Sequence, residues 1–101
     1  MSRRQTIWVD SNRTLRAVDL DTLDQVDYYV KRNKRDIEYL LTQITFCQDA
    51  PLTVADLMEN RELSIHIPRD IRQALFHRKR ALFELADRRA TLSRRRHRVR
   101  R

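Results

Sequence analysis

The run from Leu23 to Cys47, LDQVDYYVKRNKRDIEYLLTQITFC, sets Leu23, Val26, Val30, Asn33, Ile37, Leu40, Ile44 and Cys47 at alternating steps of three and four. That is an a/d heptad seam, and it predicts one long helix over residues 22–48 whose apolar stripe needs a second helix to cover it. Asp21 or Thr22 supplies the N-cap, and Asp24 and Asp27 suit the positive end of the helix. Gln48-Asp49-Ala50-Pro51 ends it, because proline cannot continue a helix and restricts the residue before it. Asn33 is the polar member of the seam. Two roles fit it: a device that fixes register or oligomeric state, or a wet, locally open part of the interface. Val30, Asn33, Ile37, Leu40 and Ile44 are the expected interface, and Cys47 reads as a small core hydrophobe.

The partner helix lies at the other end of the chain. Pro68 is expected in its first turn, where proline is favoured, with Asp70 complementing the dipole. From there the pattern runs to the mid-nineties without a breaker. Ile71, Leu75, Leu82, Leu85 and Leu92 form its stripe, again in steps of three and four once Arg78 and Arg89 are counted. Ala74, Phe76, Phe83 and Ala86 are expected to widen that stripe. Two roles fit Arg78: a member of the positive face of this helix, or a residue that buries its stem in the seam and pairs with a carboxylate of the first helix. Between the two helices, Thr53 and Asp56 resemble a capping arrangement for a short helix from Val54 to about Leu63. Leu63 to Ile67 alternates apolar and polar, as a short strand or extended linker would. The stretch Leu63–Leu75 resembles the opening of a ribbon-helix-helix DNA-binding unit, with Ser64 and His66 on one side of the ribbon. The resemblance stops there, since that fold then needs a turn and a second helix.

Ahead of the first helix, Thr6-Ile7-Trp8-Val9 is rich in β-branched and aromatic residues, and Asp10-Ser11-Asn12-Arg13 is turn chemistry. With Leu15-Arg16-Ala17-Val18 as a return strand, a small β-hairpin is expected. Trp8 reads as a core anchor at one end of the helical layer; the sharper alternative is an exposed hook for a partner protein.

Charge separates the chain into two parts. Of the 101 residues, 22 are Lys or Arg and 14 are Asp or Glu, a net charge of +8. Residues 69–101 carry 13 basic side chains against Asp70, Glu84 and Asp87, whereas residues 1–68 carry 9 basic and 11 acidic ones. A nearly neutral body thus bears a strongly basic C-terminal third, a pattern that points to nucleic acid or another acidic surface. Nineteen of the cations are Arg, leaving only Lys31, Lys34 and Lys79. Arginine grips phosphate with a planar fork and stacks on bases. Coding bias also inflates arginine, but it does not gather it at one end.

Three basic groups follow. The last fourteen residues hold Arg88, Arg89, Arg94, Arg95, Arg96, Arg98, Arg100 and Arg101. Closely spaced phosphates call for such a segment, and residues 94–101 are expected to be a flexible tail, because dense like charge repels itself. Lys31, Arg32, Lys34 and Arg35 lie off the first seam and are expected to face water, with Tyr28 or Tyr29 available to stack on a base. Arg69, Arg72, Lys79 and Arg80, near His77 and Arg78, make much of one face of the last helix positive.

Other chemistries find little to use. Cys47 is the only cysteine and there is no glycine. An intramolecular disulfide, a Gly-rich phosphate loop and a paired zinc site are therefore excluded. His66, His77 and His97 show no metal spacing. No enzyme activity, cofactor, metal or small-molecule substrate is expected. No run approaches the ~18 apolar residues of a membrane span, and the N-terminus lacks the apolar core of a secretory signal. An intracellular place (cytoplasm, nucleus or nucleoid) is expected, with no membrane partner.

The expectation is a mainly α protein. It consists of an antiparallel helical hairpin with a short connecting helix and a small N-terminal β-hairpin, making one helical domain over residues 1–93, and the basic tail. Two seams in so short a chain suggest a homodimer or larger assembly. The expected function is phosphate-directed, largely sequence-independent nucleic-acid binding, RNA slightly favoured over DNA. The alternative is a helical assembly or adaptor subunit for a protein partner. A viral or phage accessory protein, or a ribonucleoprotein subunit, fits either.

Overall fold

A computed structural model describes residues 7–44, 53–58 and 67–99, with side chains as far as Arg95 and without that of Asp56. Two long helices, α1 (Leu23–Thr42) and α3 (Arg69–Val99), run antiparallel. Asp27 pairs with Arg89 and Asp36 with Arg78, so numbers rise along one helix as they fall along the other. A short helix, α2 (Val54–Met58), and two strands, β1 (Trp8–Asp10) and β2 (Leu15–Arg16), complete the described elements. The mainly α hairpin with a small β-hairpin is the architecture the two stripes require. Of the strand or linker predicted over Leu63–Ile67 only Ile67, outside any helix or strand, lies among the described residues, and Cys47 falls outside them.

Helix α1 starts where its capping chemistry says. Thr22 Oγ1 accepts the Gln25 N–H at 3.1 Å, and Gln25 Oε1 accepts the Thr22 and Asp21 N–H groups at 3.1 and 2.7 Å. This reciprocal box satisfies two of the donors that a helix start leaves open, and the Asp21 N–H ahead of them. The helix stops at Thr42, short of the expected 48. Thr42 Oγ1 donates to the Tyr39 carbonyl at 2.6 Å, while the Gln43 and Ile44 N–H groups close tight turns onto Leu40 and Leu41. The β-branched residues Thr42 and Ile44 weaken the helix here.

The buried row of α1 is Val26, Tyr29, Asn33, Ile37 and Leu41, with Val30 and Leu40 half-buried on its flank. The expected seam is thus rotated. A straight helix drifts about 20° per heptad against a 3.5-residue repeat, so steps of four carry the contact onto Tyr29 and Leu41. Ile44 remains buried. Its counterpart on α3 is Leu75, Ala81, Leu82, Leu85 and Leu92, with Ile71 partly buried. The seam residues are therefore covered within the chain. Pro68 sits one residue before α3 rather than in its first turn, and its carbonyl accepts the Arg72 N–H at 2.9 Å.

The N-terminal hairpin lies across both helices. Asn33 Nδ2 donates to the carbonyls of Tyr29 (2.8 Å) and Val9 (3.4 Å), and the His77 Nε2–H donates to the Trp8 carbonyl at 2.8 Å. Asn33 is fully buried, so a wet opening does not describe it; it ties β1 to α1. With Val9 turned inward, Trp8 is turned outward, 42 % exposed beneath the Arg16 guanidinium, and is not the core anchor expected. The turn works without glycine because Thr14 takes a left-handed conformation, φ 51°. The return strand is only Leu15–Arg16, since the Asp19 carboxylate captures the Arg16 N–H at 3.0 Å and bends Ala17–Asp19 into a 3₁₀ turn.

Candidate nucleic-acid interface

Helix α3 holds most of the described cations, and its packing sorts them into two kinds. Where α1 lies alongside, arginines are engaged with the body. Arg78 meets Asp36 at 3.5 Å, as the sequence suggests. Arg89 Nε meets Asp27 at 3.1 Å. Arg88 Nε donates to the Leu20 carbonyl at 2.9 Å. That carbonyl lies just ahead of α1, so Arg88 fastens the 3₁₀ turn to α3. The adjoining Asp19 carboxyl is held below the usual carboxylate range by the Arg16 N–H, then by the Arg16 guanidinium, with a smaller contribution from the Arg88 charge. Arg88 and Arg89, expected to extend a ligand surface onto the helix, also make these contacts within the fold, Arg89 with about half of its side chain exposed (52 %).

Arg32 makes a contact of the same kind. Its Nη1 reaches the Asp10 carboxylate at 2.9 Å, and Asp10 is buried. The second Asp10 oxygen accepts the Asn12 N–H at 3.2 Å. A carboxylate taken out of water needs such partners, so Arg32 leans on the hairpin with its side chain still 38 % exposed. Lys31, Lys34 and Arg35 are exposed as expected. Tyr28 is exposed too, whereas Tyr29 is buried with its ring edge-on to it at 4.9 Å.

Past the body the pattern changes. Leu92 is the last buried residue described on α3. The helix continues to Val99, seven residues or about 10 Å further on. The segment expected to be a flexible tail is thus helical through Val99. Arginine is a good helix former, cations suit a helix C-terminus, and no proline or glycine intervenes. Arg94 and Arg95 are exposed on this overhang, with Arg94 Nη2 3.4 Å from Thr91 Oγ1. Arg96 and Arg98 belong to the same helix, and Arg100 and Arg101 lie outside the described residues. The pairing of Asp27 with Arg89 and of Asp36 with Arg78 sets Lys31–Arg35 level with the middle of α3. That is about 18 Å along the axis from Arg94, so the two predicted basic groups are separate.

Two residues of this surface were expected inside. Phe76 and Phe83 are 61 % and 50 % exposed. Each follows a buried leucine, Leu75 or Leu82, by one position, which places it 100° round the helix. The signal was present: Arg72, Phe76, Arg80 and Phe83 form one row in steps of four and three. Beside Phe76, an open groove of about 410 Å³ lies between Ile7 and α3. Among the described residues, no group of three or more His, Cys, Asp or Glu side chains is placed to hold a metal ion, and no helix is long and apolar enough to cross a membrane. No protein-family model, curated protein or solved structure matches the chain.

Proposed function

We propose that the chain binds nucleic acid through its phosphates, without an enzymatic step and largely without regard to sequence, RNA slightly ahead of DNA. The observation that carries this reading is the arginine overhang of α3. Arg94 and Arg95 stand exposed where the helix has outrun its packing partner, and Arg96 and Arg98 follow on the same helix. Each phosphate neutralised by such a cation releases condensed counterion, which is the main source of sequence-independent affinity. Lys31, Lys34 and Arg35 form a second, weaker patch, diluted by Glu38 on the same helix. Of the α1 seam that the adaptor alternative would use as its docking edge, Asn33, Ile37 and Ile44 are buried within the chain and Val30 and Leu40 half-buried.

The test is affinity against salt for duplex DNA, duplex RNA and single strands, with the parent protein and a variant carrying Arg→Gln at 94, 95, 96 and 98. For a single strand each phosphate contributes about 0.7 to the log–log slope, so the variant should lose up to about three units of slope with its helicity preserved. Equal slopes for parent and variant would remove the overhang from the interface. Weak, salt-independent binding by the parent would sink the reading.

A further inference from the structure

We infer that the outer face of α3 is a stacking platform for single-stranded nucleic acid, so that the ligand is a strand with unpaired bases rather than a duplex. This deepens the function proposed above and rests on it.

Four residues carry the argument. Arg72, Phe76, Arg80 and Phe83 share the face of α3 opposite the buried Leu82–Leu85–Leu92 side. Phe76 and Phe83 stand about 10 Å apart along the axis, and neighbours four apart in the row are about 6 Å apart. The face therefore alternates cation and ring. Each element of a single strand finds its match there: an aromatic ring stacks on any base, and an arginine pairs with the phosphate beside it. At Phe76 the platform has depth. The groove between Ile7 and α3, walled also by Gln73 and His77, is of a size that holds a small flat ligand. A duplex keeps its bases stacked on each other and offers no face to a phenyl ring, whereas unpaired bases splay out onto aromatic side chains.

A protein partner is the weaker fit. Two phenylalanine rings bury at most about 150–250 Å² each, well below the roughly 1,000 Å² that a specific protein interface needs. The rest of the row is arginine, which an apolar partner would have to desolvate. Continuity favours the strand as well. Arg94 lies eleven residues beyond Phe83, three turns on and so on the same face. From Phe76 to Arg94 is about 27 Å, the length of about eight nucleotides at a rise of about 3.4 Å and fewer in an extended strand. One strand is thus long enough to reach from the groove to the arginine overhang, passing the exposed Asp87 on the way.

The experiment uses the full chain and two labelled probes, a twenty-nucleotide oligouridine and a duplex RNA of equal length, followed by fluorescence anisotropy. Phe76→Ala combined with Phe83→Ala should weaken oligouridine binding by about 30-fold or more, as the loss of two base stacks implies. The salt slope should not change, because no charge is removed, and duplex binding should be unaltered. Phe76→Trp with Phe83→Trp should keep parental affinity, which separates stacking from any disturbance of the fold. Arg72→Gln with Arg80→Gln should lower the single-strand slope by about 1.4. If the alanine pair binds oligouridine as tightly as the parent, the platform is refuted while salt-dependent binding still supports the general reading. If that pair keeps its oligouridine affinity but sediments as a smaller species, the face is a self-association surface and the inference falls. A parent protein without salt-dependent binding to either probe overturns both.

Discussion

Replacing Arg32 by alanine distinguishes a cation that holds the fold from one that meets a ligand. The Asp10 carboxylate is buried, with Arg32 at 2.9 Å on one oxygen and the Asn12 N–H at 3.2 Å on the other. Removing Arg32 leaves the charge with one partner. Breaking a fully buried pair from one side costs about 3–5 kcal/mol, and losing a charged hydrogen bond about 1.5–3 kcal/mol. Arg32 keeps 38 % of its side chain exposed, so water can take its place in part and the lower figure applies. We expect about 2 kcal/mol, a fall in Tm of about 8–16 °C for a domain of this size. Asp10→Ala removes the charge that Arg32 compensates. In the double variant, Arg32→Ala should therefore add little, giving a coupling of about 1–2 kcal/mol in a double-mutant cycle.

The same variants bear on the proposed interface. On that reading Arg32→Ala leaves the nucleic-acid salt slope of the folded protein unchanged, whereas Lys31→Ala with Arg35→Ala leaves Tm unchanged and lowers the slope. Thermal melts and salt titrations on the three proteins decide it. An Arg32→Ala protein that melts within about 2 °C of the parent, under roughly 0.5 kcal/mol, refutes the structural role. A loss of slope equal to that of Lys31→Ala would return Arg32 to the binding surface.

Three further outcomes follow from the hairpin and its anchor. Asn33→Asp should be more destabilising than Asn33→Leu, by about 2 kcal/mol or more in denaturant midpoints, because an ionised carboxylate would face the Tyr29 and Val9 carbonyls with no proton to give. Thr14→Gly should raise stability by about 1 kcal/mol, since a β-branched residue at φ 51° pays a left-handed penalty that glycine does not, less the extra chain entropy of glycine. The Asp19 carboxyl, lowered by its Arg16 contacts, should stabilise the fold above the usual carboxylate pKa and lose that contribution as pH falls through its own lower value. Asp19→Asn should therefore melt below the parent at pH 7, with the gap narrowing as pH falls below the usual carboxylate range; equal melts at every pH would show that the contact contributes nothing.

Periodicity sufficed for the helices, because a stripe that must be buried dictates both the element and the need for a partner. It was less informative about phase. The heptad reading chose Val30 and Leu40, whereas the contact drifted onto Tyr29 and Leu41 in steps of four, as an unsupercoiled helix does. The hairpin was legible from β-branched residues and turn chemistry, but its short return strand was decided by Asp19, a capping contact that strand propensity does not register. At the candidate site the sequence counted arginines correctly and could not assign them. Whether Arg32, Arg88 or Arg89 is available to a ligand depends on Asp10, the Leu20 carbonyl and Asp27, which are 22, 68 and 62 residues away in the chain. The phenylalanines were misplaced for a related reason. Phe76 and Phe83 are apolar and adjoin the leucine seam, yet a helix packed on one side needs only one stripe, and among the described residues no third layer covers theirs.

The overhang itself tests how charge and helix formation compete. In the sequence Arg94/Arg98 and Arg95/Arg98 stand four and three apart, and like charges at such spacings in a helix cost about 0.2–0.5 kcal/mol each. Against this, cations near a helix C-terminus gain about 0.3–1 kcal/mol from the dipole. The two contributions nearly cancel, and no buried residue beyond Leu92 adds to the balance among the described side chains. A polyanion removes the repulsion and leaves the dipole interaction, so it must shift the balance toward helix. Amide exchange across residues 94–99 should therefore slow on adding oligouridine, while exchange at Leu82–Leu85 stays constant. Simple salt at about 0.5 M screens both contributions and should slow it far less. Exchange in the overhang that is indifferent to a bound polyanion would mean that its arginines do not neutralise phosphate in the complex.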